Sequence, residues 1–142
     1  MKSIAPYLNF DGRTEEAFLF YQEAFGAGPF ALQRFRDMPD PGKVTEEEKN
    51  LIMHINLNLG DNLMLMGSDV PRSMGMKLVM GNNVHMMLDM DSEAEARDLY
   101  AKLSAGGKVH MELQKTFWGA LYANFTDKFG VQWMINFTMP KD

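Results

Sequence analysis

Residues 84–107 read VHMMLDMDSEAEARDLYAKLSAGG, and residues 5–28 read APYLNFDGRTEEAFLFYQEAFGAG. At an offset of 79, Glu16-Ala17 meets Glu95-Ala96, Tyr21 meets Tyr100 and Gly28 meets Gly107. Each stretch begins with a short alternating apolar run and then changes to helical spacing, which predicts a strand followed by a helix. The first strand is expected over Ile4–Phe10, with Asp11-Gly12 breaking it, and the first helix over Thr14–Phe25, with Gly26 and Gly28 ending it. The second strand is expected over Val84–Met90. Ser92 and Glu95 then form a capping box, Ala96, Leu99, Tyr100 and Leu103 make the apolar stripe, and Gly106-Gly107 stops the helix.

Outward from these stretches the pattern continues in the same order. Pro29–Phe35 reads as a strand. Met53, Ile55, Leu57 and Leu59 alternate with His54, Asn56 and Asn58, Gly60-Asp61-Asn62 turns the chain, and Leu63–Met66 returns it. In the second half, Val109–Leu113, Trp118–Phe125 and Gln132–Phe137 are the corresponding strands. A further match at an offset of 70 sets Gly60 on Gly130 and Met64 on Met134. Two offsets require a longer connection in one half, and residues 36–50, RDMPDPGKVTEEEKN, are an acidic, proline-containing loop with room for one helical turn. Self-similarity over this length points to a duplicated βαβββ unit of the α+β class. The modules run from about 1 to 70 and from about 84 to 142 within one domain, and residues 67–83 make an irregular linker or lid.

The chain has 142 residues, 14 methionines and no cysteine, which excludes disulfides, thiolate zinc, iron–sulfur clusters and a cysteine nucleophile. A net charge of −5 without a basic cluster argues against nucleic acid and anionic membranes as partners. No apolar run reaches the ~20 residues of a membrane span, and Pro6, Asn9 and Asp11 interrupt any signal-peptide core, so a cytoplasmic location is expected. There is no P-loop, dinucleotide fingerprint or nucleophile elbow.

Because strand side chains alternate, each strand sorts into two faces. Leu8, Phe10, Met53, Ile55, Leu57, Met86, Leu88, Met90, Trp133, Ile135 and Phe137 are expected to pack under the helices. The opposite face collects Tyr7, Asn9, His54, Asn56, Met64, Met66, His85, Met87, Asp89, Trp118, Tyr122, Asn124, Met134 and Asn136. Such a mixture of aromatics, thioethers and a few polar groups suits a ligand cavity; a solvated face, or one packed on another chain, is the alternative. His110 reads as surface, and Glu46–Glu48 as a solvated charge run. Met74, Met76 and Met80 suit an adaptable lid or a contact between copies.

Three strings carry a resemblance: PYLNFDGRTEEAFLFYQEAFG at 6–26, HINLNLGDNLMLMGSD at 54–69 and KTFWGALYANFTDKFGVQWMINF at 115–137. Together they resemble the PhnB-like branch of the vicinal oxygen chelate superfamily, which holds glyoxalases, bleomycin-resistance proteins and extradiol dioxygenases. The resemblance implies a cup-shaped mixed sheet with helices on its outer face, a cavity on the concave side and a homodimer. In metal-dependent members, two strands of each module supply four ligands to a divalent ion that acts as a Lewis acid. On this sequence those positions fall on His85, on Ala5 or Pro6, and on Met64 and Met134, so one ligand of four is kept. A thioether suits Cu(I) better than the divalent ions such enzymes use. The older ubiquinone methyltransferase label in this branch finds no glycine-rich site for a methyl-donor nucleotide here.

The leading expectation is therefore a small-molecule-binding protein without the usual metal or any other cofactor, its ligand met by Tyr7, Asn9, His54, Met64, His85, Met87, Trp118, Tyr122 and Met134. One alternative is a metal-assisted lyase, isomerase or dioxygenase with a rearranged site, in which a divalent ion uses His54 and His85, with Asp89 as a further ligand. The same three residues are the candidates for acid–base catalysis. A non-catalytic protein that sequesters a drug or metabolite is the other alternative.

Overall fold

The computed structural model describes residues 1–39, 42 and 44–141. The loop expected at 36–50 includes Asp40, Pro41 and Lys43, which lie outside the described residues. The chain divides into two compact units, Met1–Val79 and Met80–Asp142.

In the first unit, β1 (Tyr7–Phe10) leads into α1 (Thr14–Phe25), β2 (Ala31–Arg34), β3 (Ile52–Gly60) and β4 (Leu63–Asp69), in the sheet order β1-β4-β3-β2. β1 runs parallel to β4, and the other neighbours are antiparallel. Short 3-10 turns at Phe35–Asp37, Glu47–Asn50 and Arg72–Met74 punctuate the connections. α1 lies on β3 and β4. Ala17, Phe18 and Tyr21 from the helix are buried with Phe10, Ile52, Ile55, Leu57 and Leu65 from the strands. Close approach of helix and sheet depends on Gly67: a Cβ there would stand 2.6 Å from the Leu8 carbonyl oxygen and 2.9 Å from Phe18 Cε1.

One buried carboxylate organises this unit. Asp69 Oδ1 accepts from the Thr14 amide (3.1 Å) and hydroxyl (2.7 Å), and Oδ2 accepts from the Ile52 amide (2.9 Å). Arg13, at the N-cap position of α1, makes no side-chain cap hydrogen bond. Asp69, 55 residues away in sequence, satisfies a donor of the first turn in its place. At the surface, Glu48 joins the 45–50 segment to the turn at Arg72–Met74. Its carboxylate accepts from the Ser73 hydroxyl and from the Thr45 amide at 3.0 Å. These bonds, the Ser73 hydroxyl first, lower its pKa to about 2.

The second unit repeats the plan with β5 (Met86–Asp89), α2 (Glu93–Leu103), β6 (Lys108–Lys115), β7 (Ala120–Thr126) and β8 (Gln132–Thr138), in the order β5-β8-β7-β6. β5 is again parallel to β8, and the remaining pairs are antiparallel. α2 lies on β7 and β8. Ala96, Leu99 and Leu103 are buried with Leu121, Ala123, Phe125, Trp133 and Ile135. Here the cap is local: the Ser92 side chain accepts from the Glu95 amide at 3.1 Å. The buried carboxylate of this unit belongs to Asp127, in the β7–β8 turn. It accepts from the Phe129 (2.8 Å) and Val131 (3.0 Å) amides and from Trp133 Nε1 (2.8 Å).

The α+β class and the two βαβββ modules expected from the repeat are present, and α1 has its expected bounds. Several local expectations need correction. β1 begins at Tyr7 rather than Ile4, because its parallel ladder with β4 starts at the Tyr7–Met66 pair. β4 runs on to Asp69, since that ladder continues to Phe10. The β2–β3 register shifts between Gln33↔His54 and Arg34↔Ile52, leaving Met53 as the extra residue of a bulge. Ile52 consequently takes the core position and Met53 is only half-buried. Trp118 precedes β7 rather than opening it. The Gly119 amide donates to the Thr116 carbonyl, and Gly119 has φ +87°, so Phe117 and Trp118 form the corners of a tight turn between β6 and β7.

Candidate functional site

Each unit carries its own outer sheet face, opposite the helix. On the first, Tyr7 Oη lies 3.1 Å from His54 Nδ1 and the two rings are 5.7 Å apart. Beside them the Ser68 hydroxyl donates to Asn9 Oδ1 at 3.3 Å. Met64 is exposed opposite Asn58, near the β3–β4 turn, and it is Met66 that pairs with Tyr7. A cavity of about 590 Å³ in this unit is lined by Asp11, Val70, Arg72, Gly75, Met76, Lys77 and Leu78. Six of these seven residues, all but Asp11, belong to the 67–83 segment expected to form a linker or lid, and the Arg72–Asp11 ion pair (2.7 Å) spans part of the wall. None of the ligand-binding positions expected from the sequence lines it.

The second unit has a cavity of about 380 Å³ lined by Asn82, His85, His110, Asn124, Thr126 and Gln132. β7 and β8 aim their even-numbered side chains to this side because Leu121, Ala123, Phe125, Trp133 and Ile135 occupy the core at odd positions. His110 comes from the edge strand β6, and His85 stands immediately before β5. Across the floor, the Thr126 hydroxyl donates to Gln132 Oε1 at 2.9 Å and lies 2.8 Å from His110 Nε2. A hydroxyl has one proton, and here it goes to Gln132. The His110 contact then uses a hydroxyl lone pair, with Nε2 as the donor. Asn124 Oδ1 is buried with no hydrogen-bond partner among the described residues.

Of the residues expected to bind ligand, His85 lines this cavity, and Met87, Trp118, Tyr122 and Met134 of the same unit do not. Met134 is half-buried, opposite Met87 on β5 and Asn124 on β7. Tyr122 shares the outer face with Asn124 and makes an edge contact with Trp118 at 5.9 Å between ring centroids. Asp89, at the far end of β5, accepts from Asn136 Nδ2 at 2.9 Å. It is separated from His85 by four residues of extended chain, about 13 Å at ~3.3 Å per residue, so the two do not form one acid–base pair. His110, Thr126, Gln132 and Asn82 were not singled out by sequence. His110 reads as surface and is exposed, and its ring meets Thr126 at a register irregularity between Val109 and Met111.

Metal binding can be tested against the donors present. Among the described residues no three His, Cys, Asp or Glu side chains lie together so as to hold an ion. His85 has only carboxamides, a hydroxyl and His110 around its cavity. The four-ligand divalent centre implied by the resemblance does not fit this donor set.

Two βαβββ modules of this topology define the glyoxalase class of folds, and the sequence profile of the Glyoxalase/Bleomycin resistance protein/Dioxygenase superfamily matches residues 3–135. The chain belongs to that superfamily. Among curated proteins it is similar to Protein YjdN of Escherichia coli strain K12, with 29% identity over 141 residues, 94% of this chain and 93% of the relative. Among solved structures it is similar to protein PA1353 from Pseudomonas aeruginosa, with 38% identity, a TM-score of 0.85 and coverage of 99% of this chain and 100% of that one. The PhnB protein from Bacillus cereus shares the fold at 19% identity and a TM-score of 0.74, covering 96% of this chain and 99% of that one. No helix among the described residues is long and apolar enough to cross a membrane.

Proposed function

We propose that this superfamily member binds a small molecule on the outer sheet face of its second module, through hydrogen bonds rather than through a four-ligand metal centre. The observation that carries the reading is the cavity of about 380 Å³ whose six lining residues are all uncharged or imidazole side chains. That volume suits a compact ligand, at the lower end of the ~300–1,000 Å³ of small-molecule sites. Tyr122 and Trp118 add aromatic surface for a planar portion of the ligand. Exposed Val84, Met87 and Phe117 support a homodimer, the state the family resemblance implies.

Two measurements test this reading. Protein produced in zinc-, nickel- and manganese-supplemented medium and purified without chelator is expected to carry far less than one divalent ion per chain by plasma mass spectrometry. A stoichiometric ion that disappears in His85→Ala overturns the metal-free reading in favour of a rearranged metal site. A fragment library screened by NMR is expected to shift resonances of His85, His110 and Asn124 first. A library that leaves all three untouched sinks ligand binding at this face.

A further inference from the structure

We infer that the second module's cavity recognises an uncharged group bearing a hydrogen-bond donor and an acceptor side by side, such as a carboxamide or lactam. The inference rests on the hydrogen-bonded reading of that cavity given above and names the chemistry it selects.

Buried acceptors in folded proteins are nearly always satisfied, yet Asn124 Oδ1 is buried without a partner among the described residues, in a residue that lines the cavity. It calls for a donor. Gln132 presents the opposite need. Its Oε1 is occupied by the Thr126 hydroxyl, so the group it offers to the cavity is its Nε2 amide, a donor. Thr126 pairs with Gln132 and Asn124 with Met134 across β7 and β8, so Asn124 and Gln132 are diagonal neighbours on one face. Diagonal positions lie roughly 7–8 Å apart at Cβ, within reach of longer side chains acting on a common group.

In the chain as it stands, His110 Nε2, the Thr126 hydroxyl and Gln132 Oε1 are linked in that order, which leaves the Nε2 end of Gln132 for the ligand. No Lys, Arg, Asp or Glu lines the cavity, so a charged ligand would lose hydration without gaining a counter-ion. An uncharged donor–acceptor pair matches Asn124 Oδ1 and Gln132 Nε2 together, and Tyr122 on the same face supplies a surface for an attached ring.

Benzamide, methyl benzoate and benzoate make a matched series on one ring: donor plus acceptor, acceptor alone, and anion. Titrated into the full chain at pH 7.5 and followed by side-chain amide NMR, benzamide is expected to shift the Asn124 and Gln132 amide resonances saturably. Its affinity should exceed that of the other two at least tenfold. Asn124→Leu is expected to lower benzamide affinity about tenfold, the scale of one lost hydrogen bond, and to leave methyl benzoate unchanged. Asn124→Asp keeps the shape and an acceptor, covering the case in which the leucine variant fails to fold. It is expected to prefer benzamidine to benzamide at least tenfold. Equal binding of benzamide and methyl benzoate, or no benzamide shift at Asn124, overturns the inference. Other fragments binding at His85 without donor–acceptor preference would overturn it while leaving the broader reading standing, whereas a cavity that no fragment perturbs ends both.

Discussion

The two modules share a strand order and differ in how they close their polar groups. In the first, Asp69 reaches across the fold to the start of α1 and the start of β3. In the second, Asp127 stays within its own hairpin, gathering two turn amides and the Trp133 indole, while Ser92 caps α2 locally. The outer faces differ in the same manner. Tyr7 engages His54 and Ser68 engages Asn9 in the first module, whereas the second keeps a buried acceptor open beside a cavity. The duplicated scaffold thus pairs polar groups internally on one outer face and leaves a buried acceptor without a partner among the described residues on the other.

The comparison breaks most sharply at the two carboxylates. Asp69→Ala and Asp127→Ala each strand several buried donors, and each is expected to cost about 3–4 kcal/mol in chemical denaturation. Hydrogen exchange should separate them. Asp69→Ala is expected to expose the Thr14 and Ile52 amides, 38 residues apart, and Asp127→Ala those of Phe129 and Val131. Loss of protection confined to one side of the Asp69 pair would show that it is no long-range brace.

Next in size is Gly67→Ala, where the added methyl meets backbone at 2.6 Å. It is expected to cost about 2–3 kcal/mol as β1 and α1 are pushed from the sheet, measured by thermal unfolding. The capping contrast is smaller. Ser92→Ala should cost ~1 kcal/mol, while Arg13→Ala, at an N-cap that makes no cap bond, should stay within about 0.5 kcal/mol. Equal losses at the two sites would contradict the division between local and distant capping.

Smallest is a pH effect at the half-buried Glu48. Its folded pKa is lowered to about 2 from the ordinary 4.5. The contribution it makes is therefore fully present above 4.5 and fades as pH falls toward 2. Glu48→Gln is expected to flatten the stability–pH curve of the first module across that window. An unchanged slope would mean that the Ser73 and Thr45 bonds do not hold in solution.

Most of the fold was legible because its signals are local. The spacing of Ala17, Phe18 and Tyr21 and the glycine after Phe25 delimit α1, and Ser92 with Glu95 announces α2. What escaped depends on partners far away in sequence. Alternation marks Met53 as core, but the ladder with β2 inserts a bulge there. Arg13 gives no sign of a cap because the cap is Asp69. The candidate site was legible only in outline. Alternation assigned Asn124 to the outer face, yet whether its oxygen finds a partner depends on neighbouring strands. His110 acquires meaning only from the irregularity between Val109 and Met111, where its ring meets Thr126.

The placement of the tryptophans has an optical consequence. The chain has two, Trp118 at 56% exposure in a surface turn and Trp133 at 0% in the core. One should emit near the wavelength of indole in water and yield to iodide quenching, while the other should emit to the blue and resist it. Both belong to the second module, so tryptophan fluorescence, excited to the red of tyrosine absorption, reports that half of the chain alone. Set beside circular dichroism, which sees α1 and α2 together, it offers a label-free way to ask whether the duplicated halves lose their structure at the same denaturant concentration.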